Sequence, residues 1–185
     1  MTDDILRKKI EDSAAASGIT GIGEVNIGEL EYRDDIRKIC EGNSCRSYGT
    51  CWACPPAVGT LEECRQRCEQ YERMFVFSRV YSLSGPFDMK GMMEAMKDFK
   101  KVTEAFDKAL GEEASPRMLL SNEGCGRCSE CTYPDEPCRF PDRLYHSIEG
   151  YGFLVYELAK KAGLEYNNGQ NTVTYFGALL CGEKR

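Results

Sequence analysis

Four cysteines lie close together in the stretch CGRCSECTYPDEPCRFP, at Cys125, Cys128, Cys131 and Cys138. Their spacing is C-x2-C-x2-C-x6-C, and two successive x2 intervals turn the backbone so tightly that three thiolates converge on one object. The ferredoxin sequence C-x2-C-x2-C-x3-C-P opens in the same way. Structural zinc sites more often use two C-x2-C pairs separated by a dozen or more residues. The spacing therefore favours an iron–sulfur ligand loop, with zinc as the alternative.

A second group lies upstream, where Cys40, Cys45, Cys51 and Cys54 fall within fifteen residues. It ends in two prolines, and a proline after the last ligand is typical of ferredoxins. The prolines fix φ and withhold backbone N–H groups, which stiffens the chain after the last cysteine. This spacing is less specific by itself, but eight of the eleven cysteines fall into two compact groups. We expect all eight to be metal ligands.

The composition limits what these cysteines do. The chain has 185 residues, 42% of them hydrophobic, which suits one Cys-rich metal-binding domain over residues 1–185 with a core that needs no disulfides. The N-terminal sequence lacks the apolar segment of a signal peptide, and no stretch approaches the roughly 18 apolar residues of a membrane span. We therefore expect a cytoplasmic protein, and in a reducing compartment clustered cysteines are metal ligands or redox groups more often than cystines.

The charge pattern argues against nucleic acid as a partner. The net charge is -6, and the acidic and basic residues are interspersed without a basic stripe or tail. A protein that binds nucleic acid needs such a concentration of positive charge.

The elements that must position the two groups alternate along the chain. The patterns predict helices over residues 3–16, 60–72, 87–110 and 147–163. They predict strands over residues 24–30, 74–83, 117–121 and 172–181. This order indicates an α/β fold, with α+β as the alternative: a single domain with a mixed sheet of about four to five strands, flanked by helices, and two Cys-rich loops at strand or helix ends.

Other residues have simpler interpretations. Cys64 and Cys68 lie on one face of a predicted helix, which indicates small hydrophobic residues of the core. His146 is the only histidine, so no catalytic triad is available, and a capping or surface role is favoured over contact with the cysteines. Tyr48 and Trp52 lie inside the upstream loop and are expected to shield a cluster from water.

Three strings, CRSYGTCWACPPAVGTLEEC, CTYPDEPCRFPDRLYHSIEGYG and NTVTYFGALL, resemble an uncharacterised family described as predicted metal-binding proteins, domain of unknown function 2284. The likeness extends roughly over residues 28–180. It implies cysteine-bound metal, held as iron–sulfur, with no established activity. The positions that match the family's motifs are Cys40, Cys45 and Cys54 in the first, and Cys125, Cys128, Cys131 and Cys138 in the second.

Cys51 stands where that family often has another residue, which leaves the fourth position of the upstream site open. Without Cys51, one iron would be free for water, substrate or a partner's ligand and would act as a Lewis acid. With four thiolates the site would be closed and suited to electron transfer. The alternative for Cys138 is to bind the upstream cluster, because in two-cluster ferredoxins the last cysteine of such a run binds the other cluster.

Three functions follow from these patterns. The preferred one is an iron–sulfur protein with one or two 4Fe-4S clusters, acting as an electron-transfer or redox accessory protein that docks on a larger redox partner. The second is a cluster-dependent enzyme with an open iron site. The third is an interaction module stabilised by zinc, whose fold would depend on the metal.

Overall fold

The computed structural model describes residues 3–184 of the chain. Within that range the helices are α1 (Asp3–Ala16), α2 (Asp34–Glu41), α3 (Leu61–Cys68), α4 (Met89–Leu110) and α5 (Val155–Lys161). The strands are β1 (Gly21–Val25), β2 (Tyr71–Ser82), β3 (Arg117–Ser121), β4 (His146–Ser147) and β5 (Thr172–Glu183).

The strands form one mixed sheet in the order β1-β2-β5-β3-β4. The β1–β2, β2–β5 and β3–β5 pairs are antiparallel, whereas β3 and β4 are parallel. The predicted mixed sheet of about four to five strands is therefore confirmed. Because most pairs are antiparallel and the helices do not alternate regularly with parallel strands, the class is α+β, the second of the two expected.

Helices cover both faces of the sheet. On one face Phe77 of β2 packs against Phe99 and Phe106 of α4, with ring centroids 5.8 and 5.2 Å apart. On the other face α3 and α5 pack over β2 and β5, and there Cys64 and Cys68 are fully buried. The prediction that these two cysteines belong to the core is confirmed. Burial on both faces explains why residues 74–78 of β2 are buried in succession.

Residues close together in the sequence determine where helix α3 begins. Thr60 Oγ1 accepts a hydrogen bond from the N–H of Glu63, and the Glu63 carboxylate accepts one from the N–H of Thr60. This capping box satisfies two N–H groups at the helix start. The helix ends at Cys68, four residues before the expected end, because β2 already begins at Tyr71.

The helix predicted over residues 147–163 starts only at Val155, so that prediction is wrong in its first half. Ser147 does cap locally, since its hydroxyl accepts from the N–H of Gly150, but only a single 3-10 turn follows. Gly152 then adopts φ +77, and its carbonyl accepts from the N–H of Arg33 at 3.0 Å. A Cβ at Gly152 would lie 2.9 Å from that nitrogen, so the close approach needs glycine and ends the turn.

The strand predicted over residues 24–30 is also shifted. Strand β1 ends at Val25, and Asn26 caps a 3-10 turn over Ile27–Glu29 by accepting from the N–H of Gly28. An asparagine side chain that bonds the backbone two residues later competes with strand pairing.

Apart from Cys40, which lies in the last turn of α2, the two cysteine groups lie in long loops that meet at the β3–β4 edge of the sheet. The upstream loop joins α2 to α3, and the downstream loop joins β3 to β4. A hydrogen bond of 2.8 Å from the N–H of Ser147 in β4 to the carbonyl of Ala53 ties the upstream loop to this edge. None of the helices in the described range has both the length and the apolar character that a bilayer crossing requires.

Candidate metal centre

The upstream group contributes three thiols to one cavity. Cys40, Cys45 and Cys54 line a cavity of about 430 Å3. Cys40 lies in the last turn of α2, and Cys54 lies within the upstream loop, where it is buried. The Sγ of Cys54 accepts a hydrogen bond from the N–H of Gly124, 3.2 Å away, which belongs to the downstream loop. The two loops therefore form this cavity together.

The downstream group shares a second cavity with Cys51. This cavity is about 40 Å3, and the thiols along its wall are those of Cys51, Cys125, Cys128, Cys131 and Cys138. Cys51 is buried, with Cys125 and Cys131 packed around it. The structure thus divides the eight cysteines into three and five, and Cys51 lies with the downstream set.

Cys51 and Cys54 connect the two cavities. Their thiols interact, and this contact lowers the pKa of Cys51 and raises the pKa of Cys54. The backbone N–H groups of Ala53, Cys54 and Cys125 lower the pKa of Cys51 further, whereas burial raises it. The Cys51 thiol also donates to the carbonyl of Ser47 at 4.0 Å. One sulfur of each set is therefore in contact with the other.

Lys100 of α4 holds the backbone just before Cys125. Its Nζ donates to the Asn122 side chain at 2.9 Å and to the carbonyls of Asn122, Glu123 and Gly124 at 3.3, 2.7 and 2.9 Å. Burial lowers the pKa of this ammonium. Lys100 was not identified from the sequence. Its position next to Phe99 and three residues before Thr103, both buried, places it on the inner face of the helix.

Glu104, one turn further along α4, holds the arginines beside the downstream cavity. Its carboxylate lies 2.9 Å from Arg127, 3.0 Å from Arg143 and 3.0 Å from Lys108. The hydrogen bond from Lys108 and the charge of Arg127 lower the pKa of Glu104 to about 2. The guanidinium groups of Arg127 and Arg143 also stack near the ring of Phe140. Helix α4 therefore anchors both ends of the downstream loop.

Two aromatic residues of the upstream loop serve different cavities. Trp52 lines the downstream cavity, where its Nε1 donates to the carbonyl of Glu136 at 3.1 Å and its ring meets Tyr133 edge-on. Tyr48 lines the upstream cavity. The upstream loop thus covers both sites rather than its own alone.

His146 does not cap a helix, and it is partly buried at the edge strand β4 rather than fully exposed. Its Nδ1 lies 3.0 Å from the hydroxyl of Tyr151 and 3.4 Å from Arg67 Nη1. Burial and the charge of Arg67 lower its pKa to about 4. The imidazole is therefore neutral at physiological pH.

Glu149 is a further residue that sequence reasoning missed. It lines the upstream cavity, and its Oε2 is buried without a hydrogen-bond partner in the described part of the chain. Burial raises the pKa of this carboxyl to about 7. No sequence pattern marks Glu149, because its burial results from the packing of the turn after β4 against the upstream loop.

The thiols fit a thiolate-bound centre by their chemistry and by the cavities they share. Across residues 3–184, no three histidine, cysteine or carboxylate side chains already surround one point as the ligands of an ion do. However, backbone N–H groups donate to the sulfurs of Cys54 and Cys138, and such bonds stabilise metal-bound thiolates. The downstream cavity, at about 40 Å3, is only a few times the size of one water-sized sphere, so its loop must open to admit a group larger than a single ion.

A comparison with protein families yields one match. The family model described as "Predicted metal-binding protein (DUF2284)" matches residues 23–181, a range that includes every cysteine of both groups. No curated protein and no solved structure matches the chain.

Proposed function

Since the chain belongs to the DUF2284 family of predicted metal-binding proteins, we propose that it is an iron–sulfur protein with two 4Fe-4S clusters that acts in electron transfer, as a redox accessory of a larger partner protein. The observation that carries this proposal is the division of the eight cysteines between two adjoining cavities. A single structural ion would need only one of these sets.

The downstream centre is the electron-transfer site in this proposal. Cys125, Cys128, Cys131 and Cys138 are its ligands, and Cys51 is a fifth thiol at its edge. When bound there, a cluster with four thiolates supplies reversible one-electron transfer. Trp52 restricts water at this cavity, and the Lys100 ammonium offsets part of the thiolate charge. Thiolates of this kind need a reducing compartment, so we place the protein in the cytoplasm.

The upstream centre supports a second function, that of a cluster-dependent enzyme. Cys40, Cys45 and Cys54 provide three thiolates beside a cavity of about 430 Å3, which is within the usual range of ligand pockets. An iron with only three protein ligands and an open cavity next to it supplies a Lewis acid. The observation in favour of this function is that Cys51 faces the other cavity, so it is not placed to close the upstream set.

Zinc is the alternative metal at the downstream site. A cavity of about 40 Å3 has room for one ion once its thiols turn towards a common point, and four cysteines are a common ligand set for structural zinc. In that case the downstream loop is a structural module without redox activity.

The decisive experiment is anaerobic purification followed by measurement of iron, acid-labile sulfide and zinc, together with the visible spectrum and EPR after dithionite reduction. Two clusters predict about eight irons and eight sulfides per chain. Cys128→Ala and Cys45→Ala should each lose about half, from different EPR signals. Cys181→Ala is the matched control, since Cys181 is buried in β5 outside both groups. Zinc without sulfide would overturn the proposal.

A further inference from the structure

Every ionisable side chain that lines the upstream cavity is an acid, which is either neutral or negative. Its ionisable residues are cysteines, tyrosines and the carboxyls of Glu123 and Glu149. Among the described residues that line it there is no lysine, arginine or histidine. When these groups ionise they become negative, so the cavity attracts cations and repels anions.

Neither carboxyl is paired directly with a basic side chain. Glu123 and Glu149 form no ion pair within residues 3–184, and Oε2 of Glu149 is buried without a hydrogen-bond partner. The Lys100 ammonium donates to Asn122 and to the carbonyls of residues 122–124, although its charge also acts on both carboxyls. Arg37 donates to the carbonyls of Gly150 and Gly59. A buried acceptor without a donor costs free energy, which a bound donor would recover once the Glu149 carboxyl turns towards the cavity that it lines.

Aromatic rings form another part of the cavity wall. Tyr166 stacks on Phe176 with ring centroids 5.6 Å apart, and Tyr156 meets Tyr166 edge-on at 5.7 Å. Tyr156 and Tyr166 are about half exposed, whereas Phe176 and Phe153 are buried. The tyrosine pair therefore stands at the mouth of the cavity. The faces of aromatic rings attract organic cations, and aromatic cages are a common way to bind substituted ammonium groups.

We propose that this cavity binds a small organic cation, namely an amine with a compact apolar body, whose ammonium group pairs with Glu149 and Glu123 while its body contacts the aromatic wall. An anion is excluded by the two carboxyls, and a neutral molecule would leave them unpaired. The cation site rests on the proposed function only because the organic cation and the upstream metal centre share one cavity. It makes no assumption about which metal the thiolates hold.

The test is calorimetric titration of the anaerobically purified protein with three probes that share one tert-butyl body: tert-butylammonium, tert-butanol and pivalate. We expect saturable binding of tert-butylammonium at one site per chain, with tert-butanol and pivalate at least about tenfold weaker, the factor that corresponds to one charge-assisted contact. Glu149→Gln should weaken binding of the cation by a similar factor. Tyr166→Leu should weaken it about two- to fivefold, as expected for one exposed cation–π contact.

The matched control is Glu165→Gln, which removes an exposed carboxylate next to Tyr166 that does not line the cavity. Its affinity should equal that of the wild type. Equal binding of tert-butanol and tert-butylammonium would overturn the proposal. Loss of metal from Glu149→Gln would also overturn it, because Glu149 would then be a metal ligand. Metal analysis of the same samples separates the two proposals: a zinc protein that binds the cation refutes the iron–sulfur function alone, and an iron–sulfur protein that does not bind it refutes the cation site alone.

Discussion

Replacement of Lys100 by methionine tests whether α4 holds the two cysteine loops in place. Methionine keeps the length and apolar stem of the side chain but removes the ammonium. Four oxygens then lose the ammonium as a donor, two of them on Asn122, which is only 2% exposed. Of these two, Oδ1 keeps a hydrogen bond from the Ser121 hydroxyl at 3.3 Å, whereas the carbonyl is left unpaired. The other two belong to Glu123 and Gly124, which are less buried and exchange the bond for water.

The expected cost follows from the one buried oxygen that keeps no donor, the carbonyl of Asn122. A buried acceptor left unpaired costs about 1–3 kcal/mol. Loss of the other three contacts adds to this cost, and release of the partly desolvated ammonium offsets part of it. A net loss of about 2 kcal/mol is therefore expected. For a chain of this size that corresponds to a fall in Tm of roughly 4–8 °C.

The assay is thermal unfolding by circular dichroism, with Lys101→Met as the matched control. Lys101 is the next residue of the same helix and is exposed, so its replacement should change Tm by no more than about 2 °C, within the usual range for surface substitutions. Lys100→Met should also lower the reduction potential of the nearby cluster in an EPR-monitored titration, since a positive charge is lost. If Lys100→Met and Lys101→Met have equal Tm values, Lys100 does not anchor the loop.

Three further predictions concern single residues. Cys51→Ala should leave the upstream EPR signal unchanged and alter the downstream one, because Cys51 lines the downstream cavity; the reverse pattern would contradict the division of the thiols. The single imidazole of His146 should titrate by NMR with a midpoint of about 4 instead of 6.5. Because folding lowers this pKa, the contribution of neutral His146 to stability is complete above about pH 6.5 and falls towards pH 4. A midpoint above 6 would show that the imidazole is in contact with water in the folded protein. Glu104→Gln should cost about 1 kcal/mol in urea unfolding of the metal-free chain at pH 7. The pKa of Glu104 is lowered to about 2, so this difference should hold above about pH 4.5 and vanish as the pH falls towards 2, and a difference that does not depend on pH would exclude the ion pairs as its cause.

Local signals in the sequence were reliable wherever the structure depends on neighbours along the chain. The capping box of Thr60 and Glu63 forms as predicted, because both bonds lie within four residues. The Ser147 cap also forms, but no helix follows from it, since the carbonyl of Gly152 is held by Arg33, more than a hundred residues away in the chain. A cap specifies where a helix is able to start, and tertiary contacts decide whether it continues.

The cysteine spacing predicted two groups but not how their side chains divide. Cys51 and Cys54 are three residues apart in one loop, yet they line different cavities. Spacing constrains how far apart two thiols are, whereas the direction of each side chain depends on the turn between them. The burial of Glu149 and of Lys100 could not be predicted from the sequence for a related reason. Both side chains are surrounded by segments that are distant in sequence.

The short turn from Cys51 to Cys54 also has a consequence for the order in which the protein matures. A group bound in the downstream cavity restrains Cys51 and the neighbouring Ala53, whose carbonyl is tied to β4, and thereby the direction of Cys54. The centre that is filled first therefore lowers the entropy that the loop of the other must lose on binding. We expect the second centre to bind its metal more tightly than the first, whereas a variant that cannot fill one centre still fills the other when metal is in excess.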